Sequence, residues 1–326
     1  MRVLSGIKPS GSIHLGNYLG AIRNWVAEQH RDTFYGVVDL HALTLPIEPD
    51  ELRRQTLTTA ATLLASGIEP DRSTLFVQSW IPFHARLSWL LECVVSFGEL
   101  RRMTQFKEKG GEQAGHRAGL FTYPVLMASD ILLYDTDAVP VGEDQRQHLE
   151  LTRVIAERFN ARYGETFVVP DAIVPTAGAR VMDLQEPTRK MSKSELSPQG
   201  TISLTDAPAD IERKIKRAVT DTDNEVRFDR KKKPGVSNLL EILAAIEGAD
   251  PKVLASRYTR YGDLKSDVAA AVVATLEPIQ VRYNELLADP GELHRLMSIG
   301  SQRANEVAGP VFERASDAIG LLRSLP

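Results

Sequence analysis

Strand-like and helix-like stretches alternate along the first half of the chain, and the strand-like ones stop near Leu184. That switch constrains the fold more than any single motif does. Arg2–Gly6 reads as a short strand and runs into the turn-rich loop Lys8-Pro9-Ser10-Gly11-Ser12. Helical spacing follows over Gly16–His30, with Leu15, Leu19, Ile22 and Val26 on one face. Thr33–Leu40 predicts a second strand, Asp50–Ser66 a helix stopped by Gly67, and Thr74–Gln78 a third strand. His84–Phe97 and Phe121–Leu133 read as helices, Ala138–Val141 as a strand and Asp144–Tyr163 as a long helix. Strands and helices in this rhythm predict an α/β domain, Rossmann-like, with a parallel sheet covered on both faces.

Beyond Leu184 the chain predicts helices alone, at Asp210–Val219, Ser237–Ile246, Pro251–Tyr258, Ser266–Leu287 and Gln302–Arg323. A boundary near Gln185-Glu186-Pro187 divides residues 1–186 from an all-helical region, 187–326. The last helix is a candidate to pack back on the first domain. At 326 residues the length suits two domains, at roughly 150 residues each. Ligands of a parallel sheet bind beyond the carboxyl ends of its strands. Four loops meet there: Lys8–Asn17, Asp39–Thr44, Gly142–Gln145 and Thr188–Glu195.

The last of these loops, Thr188-Arg189-Lys190-Met191-Ser192-Lys193-Ser194-Glu195, gathers three cations in a chain of net charge −4. A generic nucleic-acid coat does not suit that overall charge, so any polyanion meets a local patch. The single cysteine, Cys93, excludes an internal disulfide and thiolate metal sites, and its apolar setting predicts a buried, inert thiol. The longest stretches without Asp, Glu, Lys or Arg are Pro9–Ile22 and Gln55–Ile68. Both fall short of the ~18 residues of a spanning helix, and no signal peptide is evident, which predicts a cytoplasmic protein without membrane contact.

Pro9–Asn17 opens a helix directly after a strand, where free backbone N–H groups favour anions. Gly11 and Gly16 would admit a bulky ligand, and His14 and Asn17 either donate to a phosphate or merely cap the helix. Together, His14-Leu15-Gly16-Asn17 and Lys190-Met191-Ser192-Lys193-Ser194 resemble the two signatures of class I aminoacyl-tRNA synthetases, usually written HIGH and KMSKS. The first departs at Asn17; the second matches letter for letter. Further stretches narrow the resemblance to the bacterial tryptophanyl-tRNA synthetases: Ser5–Gly11, Val38–Thr44, Arg102–Lys109, Thr122–Leu133, Pro140–Gln145, Ala218–Asp221 and Lys233–Leu240. The likeness covers nearly the whole chain.

The resemblance implies a catalytic domain that binds ATP and tryptophan, and a helical domain that reads the anticodon of tRNA(Trp). It implies activation of L-tryptophan by ATP, with Mg²⁺ carried on the nucleotide and no structural metal. It also implies a homodimer, for which Trp89–Phe97 is the candidate interface. By this likeness Leu4, Gly6, Lys8, His41, Tyr123, Met127, Asp130, Ile131, Val139, Val141 and Gln145 would hold tryptophan. ATP would meet Lys8, Ser10, His14, Gly16, Asn17, Gly142, Glu143, Asp144, Lys190, Met191, Ser192, Lys193 and Ser194. Lys190, Lys193, Lys109, His14 and Asn17 would be catalytic.

The residues support part of this on their own. Tyr123, Met127 and Asp130 fall on one helical face. An indole N–H can only donate, so a pocket for it needs a buried acceptor; the residue alone reads equally as a solvated or capping carboxylate, and the resemblance implies that Asp130 is that acceptor. Lys8 stands where bacterial relatives commonly carry glutamine, with a tighter hold on carboxylates or a neutral swap as the alternatives. Arg213–Arg217 and Arg230–Lys233 are basic clusters that suit RNA phosphates. Rival readings are a tyrosyl enzyme, a small-molecule adenylyltransferase, and a non-catalytic relative that binds RNA or regulates.

Overall fold

The computed structural model describes residues 1–104, 106, 117–142, 145–173, 179–192 and 198–322. Five parallel strands form one sheet: β1 (Val3–Ile7), β2 (Thr33–Val37), β3 (Thr74–Val77), β4 (Ala138–Pro140) and β5 (Asp171–Ile173). Their order is β3-β2-β1-β4-β5. Chain direction across the sheet therefore reverses between β1 and β4, and a crevice opens beyond their carboxyl ends. The loop after β1 begins at Lys8, and the loop after β4 begins at Val141.

Side chains alternate across the sheet as strand geometry demands. Tyr35, Val37, Leu75 and Val77 enter one core, which also holds Ile13, Leu15, Met191 and much of the helical region. Phe34 and Phe76 enter the other, against residues of the helices Phe83–Glu92, Ala118–Leu132 and Arg146–Tyr163. Full burial of such side chains contributes about 1.5–3 kcal/mol each.

The last helix, Pro290–Ile319, belongs to both cores. Leu293 and Met297 join the first, and Ala304, Ala308, Val311 and Phe312 the second. Between them the helix lies across β3, the edge strand, where the Val77 N–H donates to Ser301 Oγ at 3.4 Å. A helix over an edge satisfies backbone groups that would otherwise invite another strand.

The structure departs from the sequence reading at several places. The first helix is a composite of Leu15–Asn17, a π-helical stretch Tyr18–Ile22, and Arg23–Glu28. Strand β2 ends at Val37, and a short helix, Asp39–Ala42, takes over. The span His84–Phe97 holds two helices, Phe83–Glu92 and Phe97–Arg101. The break is set by Ser96, whose side chain caps the second helix in a reciprocal pair with Glu99. The last helix starts at Pro290, well before Gln302. Strand β5 was not foreseen: Asp171 and Ala172 are exposed, so no apolar run marks it. Cys93 is exposed, contrary to the buried thiol expected. It lies just past the end of Phe83–Glu92, where its helix face has turned to solvent.

Candidate active site

A cavity of about 420 Å³ opens at the crevice between β1 and β4. All eleven residues assigned to tryptophan line it: Leu4, Gly6, Lys8, His41, Tyr123, Met127, Asp130, Ile131, Val139, Val141 and Gln145. Three elements supply eight of them, while Lys8 follows β1, His41 sits on the short helix Asp39–Ala42 and Gln145 is at the N-cap of Arg146–Tyr163. β1 supplies Leu4 and Gly6, β4 and its exit supply Val139 and Val141, and Ala118–Leu132 supplies Tyr123, Met127, Asp130 and Ile131. Trp25, Val38, Thr44 and Phe76 also line the cavity and were not anticipated, since no spacing rule ties them to it.

Asp130 is buried, and three side chains of the protein already meet it. Its Oδ1 accepts from Gln78 Nε2 at 2.6 Å and from His84 Nδ1 at 2.7 Å. Its Oδ2 lies 2.7 Å from His41 Nε2. A bare carboxylate at this depth would carry a prohibitive desolvation cost, which is why donors surround it. Burial pushes the Asp130 carboxyl up, but the adjacent His41 and His84 outweigh that and hold it at about 2. A carboxylate offers about four lone-pair sites, so three donors leave room for a fourth. Tyr123, whose hydroxyl lies 2.8 Å from His148 Nε2, is pushed up to about 12 by burial and stays a phenol near neutral pH. His41 faces Tyr123 edge-on at a centroid distance of 6.4 Å.

On the nucleotide side, His14 and Asn17 cap the first helix reciprocally. The Asn17 N–H donates to His14 Nδ1, and the His14 N–H donates to Asn17 Oδ1, both at 3.2 Å. This is the helix cap that the sequence offered as one of its two readings. With Nδ1 accepting, a neutral imidazole carries its hydrogen on Nε2. The capping loop is stitched to the helical region: Leu15 N–H donates to the Ile202 carbonyl at 2.8 Å, and Leu204 N–H to the Ile13 carbonyl at 3.0 Å.

The lysine-rich loop arrives at the same place. Met191 is buried, and its N–H donates to the Val181 carbonyl at 3.1 Å. A Cβ at Gly16 would stand 3.5 Å from Met191 Cβ and 3.1 Å from His14 Nδ1, so only glycine gives this seat its full clearance. Met191 thus anchors the loop on the start of the first helix while Lys190 remains exposed. The Ser192 carbonyl accepts from Thr201 Oγ1 at 3.2 Å. Ser10 donates its N–H to the Lys8 carbonyl at 2.9 Å, and Gln145 donates to the Gly142 carbonyl at 3.0 Å. The expectations for Lys109, Glu143, Asp144, Lys193 and Ser194 lie outside the described residues.

Ion pairs divide the two basic clusters. Lys214 is buried and pairs with Asp206 at 2.5 Å, while Arg213 pairs with Asp210 and Lys216 with Glu212. Lys233 is buried against Asp221 at 2.8 Å and Asp223 at 3.2 Å, and Arg230 pairs with Glu241. Arg217, Lys231 and Lys232 stay exposed, with no ion pair among the described residues.

Residues 1–277 match the family described as tRNA synthetases class I (W and Y). The chain belongs to this family. This class I synthetase is similar to the tryptophan–tRNA ligase of Corynebacterium glutamicum, at 53% identity over 99% of this chain and 95% of that protein. Its fold matches a tryptophanyl-tRNA synthetase from Mycoplasma pneumoniae with a TM-score of 0.88 at 36% identity, covering 98% of each chain. A tryptophanyl-tRNA synthetase from Campylobacter jejuni, solved with ADP and tryptophan, aligns with a TM-score of 0.85 at 36% identity. That match covers 98% of this synthetase and 100% of the other chain. Among the described residues no helix is long and apolar enough to cross a membrane, and no group of three or more His, Cys, Asp or Glu could hold a metal ion.

Proposed function

We propose that this synthetase is a tryptophan–tRNA ligase: it joins L-tryptophan to ATP as tryptophanyl-adenylate, releases pyrophosphate, and passes tryptophan to the 3′ end of tRNA(Trp). The observation that carries the reading is the cavity between β1 and β4, with an apolar wall of Leu4, Met127, Ile131, Val139 and Val141 and one buried carboxylate, Asp130. An indole needs that combination: a flat apolar slot and a single acceptor for its N–H.

In the first step a tryptophan carboxylate oxygen bonds to the α-phosphorus as the bond to the bridging oxygen breaks, and that oxygen leaves with pyrophosphate. No general base is required, because the carboxylate is ionised near neutral pH. Alignment and neutralisation of the departing charge are what the protein supplies. Lys190 and Lys193 meet the triphosphate from the loop anchored by Met191, with Lys109 as a third cation. His14 and Asn17 hold it from the helix start, assisted by Ser10, Gly16, Ser192 and Ser194. Gly142, Glu143 and Asp144 belong to the same nucleotide site. Mg²⁺ enters with ATP as part of the substrate. His41, Gln145 and Tyr123 orient the amino and carboxylate groups, and Lys8 adds a cation at that end.

In the second step the terminal ribose hydroxyl of the tRNA attacks the adenylate carbonyl, and AMP leaves. Arg217, Lys231 and Lys232, exposed cations of the helical region without an ion pair among the described residues, suit RNA phosphates. Residues 1–186 act as the catalytic domain and 187–326 as the anticodon-reading one, tied together through the last helix. A second copy of the chain covers Trp89 and Phe97, whose exposures of 65% and 66% are large for such side chains. This chemistry belongs to the cytoplasm, where tRNA is charged.

ATP–pyrophosphate exchange with each of the twenty amino acids tests the reading, followed by charging of tRNA. Exchange dependent on tryptophan alone is expected. Exchange driven by tyrosine, or none at all, would overturn it.

A further inference from the structure

Behind Asp130 lies a chain of buried polar groups that do not line the cavity. His84, on the helix Phe83–Glu92, is fully buried, as is Tyr134 just past the end of Ala118–Leu132. His84 Nδ1 is 2.7 Å from Asp130 Oδ1, and His84 Nε2 is 2.9 Å from the Tyr134 hydroxyl. The His84 ring is stacked on Phe76 at a centroid distance of 5.7 Å, and its backbone carbonyl accepts from Ser129 Oγ at 2.7 Å. The imidazole is therefore fixed on both edges and one face.

Donor and acceptor roles along this chain follow from chemistry. An ionised carboxylate can only accept, so His84 Nδ1 carries the hydrogen and donates to Asp130. In the tautomer that donates from Nδ1, Nε2 is the acceptor that faces the Tyr134 O–H. Burial pushes the Tyr134 phenol well above its usual range, so that hydrogen stays in place. Each hydrogen in the series Tyr134, His84, Asp130 has one acceptor, and none is left over.

We propose that His84, braced by Tyr134, is a positioning residue that holds Asp130 as an acceptor-only carboxylate with Oδ2 turned into the cavity, and so makes the site choose a side chain bearing a ring N–H. This rests on the tryptophan reading above. With Gln78 and His84 both bound to Oδ1, the carboxylate plane cannot rotate without leaving two buried donors unpaired. Oδ2 is left at the cavity side with His41. A carboxyl freed from His84 could turn, or take a proton and present an O–H to the ligand. Either change would welcome a ring that donates nothing.

The test compares L-tryptophan with β-(benzothiophen-3-yl)-L-alanine, in which sulfur replaces the ring N–H at nearly the same shape. ATP–pyrophosphate exchange is measured for the intact chain and for Tyr134→Phe, His84→Phe and His84→Asn. The preference for tryptophan in kcat/KM is expected to fall about tenfold in Tyr134→Phe and further in His84→Phe, through a raised KM for tryptophan rather than a lowered kcat. His84→Asn should recover much of it, because the amide NH₂ can replace the Nδ1 donor. A brace that only supports the fold would weaken both amino acids equally. Equal losses in Tyr134→Phe and His84→Phe, or an unaltered preference in Tyr134→Phe, would overturn the proposal. Should His84→Phe fail to fold, Tyr134→Phe decides alone. An intact chain that shows no exchange with tryptophan would overturn the functional reading itself, and the role of His84 with it.

Discussion

Gly300 on the last helix stands directly on the Leu75 carbonyl of β3: a Cβ there would lie 1.7 Å from that oxygen. Backbone meets backbone at this crossing, and neither side can yield as a flexible side chain would. The neighbouring Ser301 receives the Val77 N–H, so helix and edge strand are locked within one turn. Gly300→Ala is therefore expected to cost about 3 kcal/mol or more, in the range of severe overpacking, although alanine favours helices in isolation. Chemical denaturation of the variant measures the loss. An unchanged midpoint would mean that the last helix sits farther from the sheet than the structure shows.

On the proposed reading, the lysine loop meets the negative charge that departs with pyrophosphate. Lys193→Ala is expected to slow ATP–pyrophosphate exchange by about 10²–10³-fold, the usual loss for one donor at developing charge. Tryptophan binding, followed by calorimetry without ATP, should be nearly unaffected. Lys190→Ala should behave in the same way, since Lys190 is exposed beside the buried Met191 and takes no part in the core. Near-normal exchange in both variants would remove the loop from the first step.

How much of this could be read from residues alone depends on whether local chemistry marks the feature. The sheet was legible where apolar residues cluster, as in Phe34-Tyr35 and Leu75-Phe76-Val77, all buried. β5 was not, because a three-residue edge strand with exposed Asp171 and Ala172 has no pattern to find. The helix break at Ser96 did carry a signal, the Ser-x-x-Glu capping box, and the apolar run through Cys93-Val94-Val95 concealed it. The cavity residues came from the family likeness and from helical spacing. The partners of Asp130 did not, because His41, Gln78 and His84 come from three separate segments. A lone buried histidine reads as core until the acceptor it faces is known. The basic clusters misled for a related reason: acids from other stretches, Asp206 and Asp221, take Lys214 and Lys233 out of play.

Asp130→Asn replaces an acceptor-only group by one that both accepts and donates. The amide NH₂ would face His41, His84 or Gln78, each of which already needs an acceptor there. Discrimination against phenylalanine and tyrosine in the exchange reaction is expected to drop by about 10²-fold or more, mostly through tryptophan binding. Competition by each amino acid at fixed tryptophan measures the ratio. If the ratio holds, the group that reads the indole N–H is not Asp130.

Acid should unfold this chain in a defined window. Burial opposes the ionised form of Asp130, yet His41 and His84 hold its carboxyl at about 2, below the ordinary 3.8. Burial likewise opposes ionised Asp221, while hydrogen bonds from Lys233 and Tyr261 bring it to about 2. Glu99 is held at about 2 chiefly by Arg158. A carboxyl whose folded pKa is depressed binds fewer protons when folded than when unfolded. Its stabilisation is complete above the unfolded pKa and is lost as pH falls through the folded one. For Asp130 the lost term amounts to about 2 kcal/mol. The melting temperature should thus be nearly flat down to about pH 5 and fall steeply between about pH 4 and about pH 2. Calorimetry across that range, on the intact chain and on Asp130→Asn, provides the check. The variant should start lower and fall less steeply, and parallel curves for the two chains would show that Asp130 does not titrate in this window.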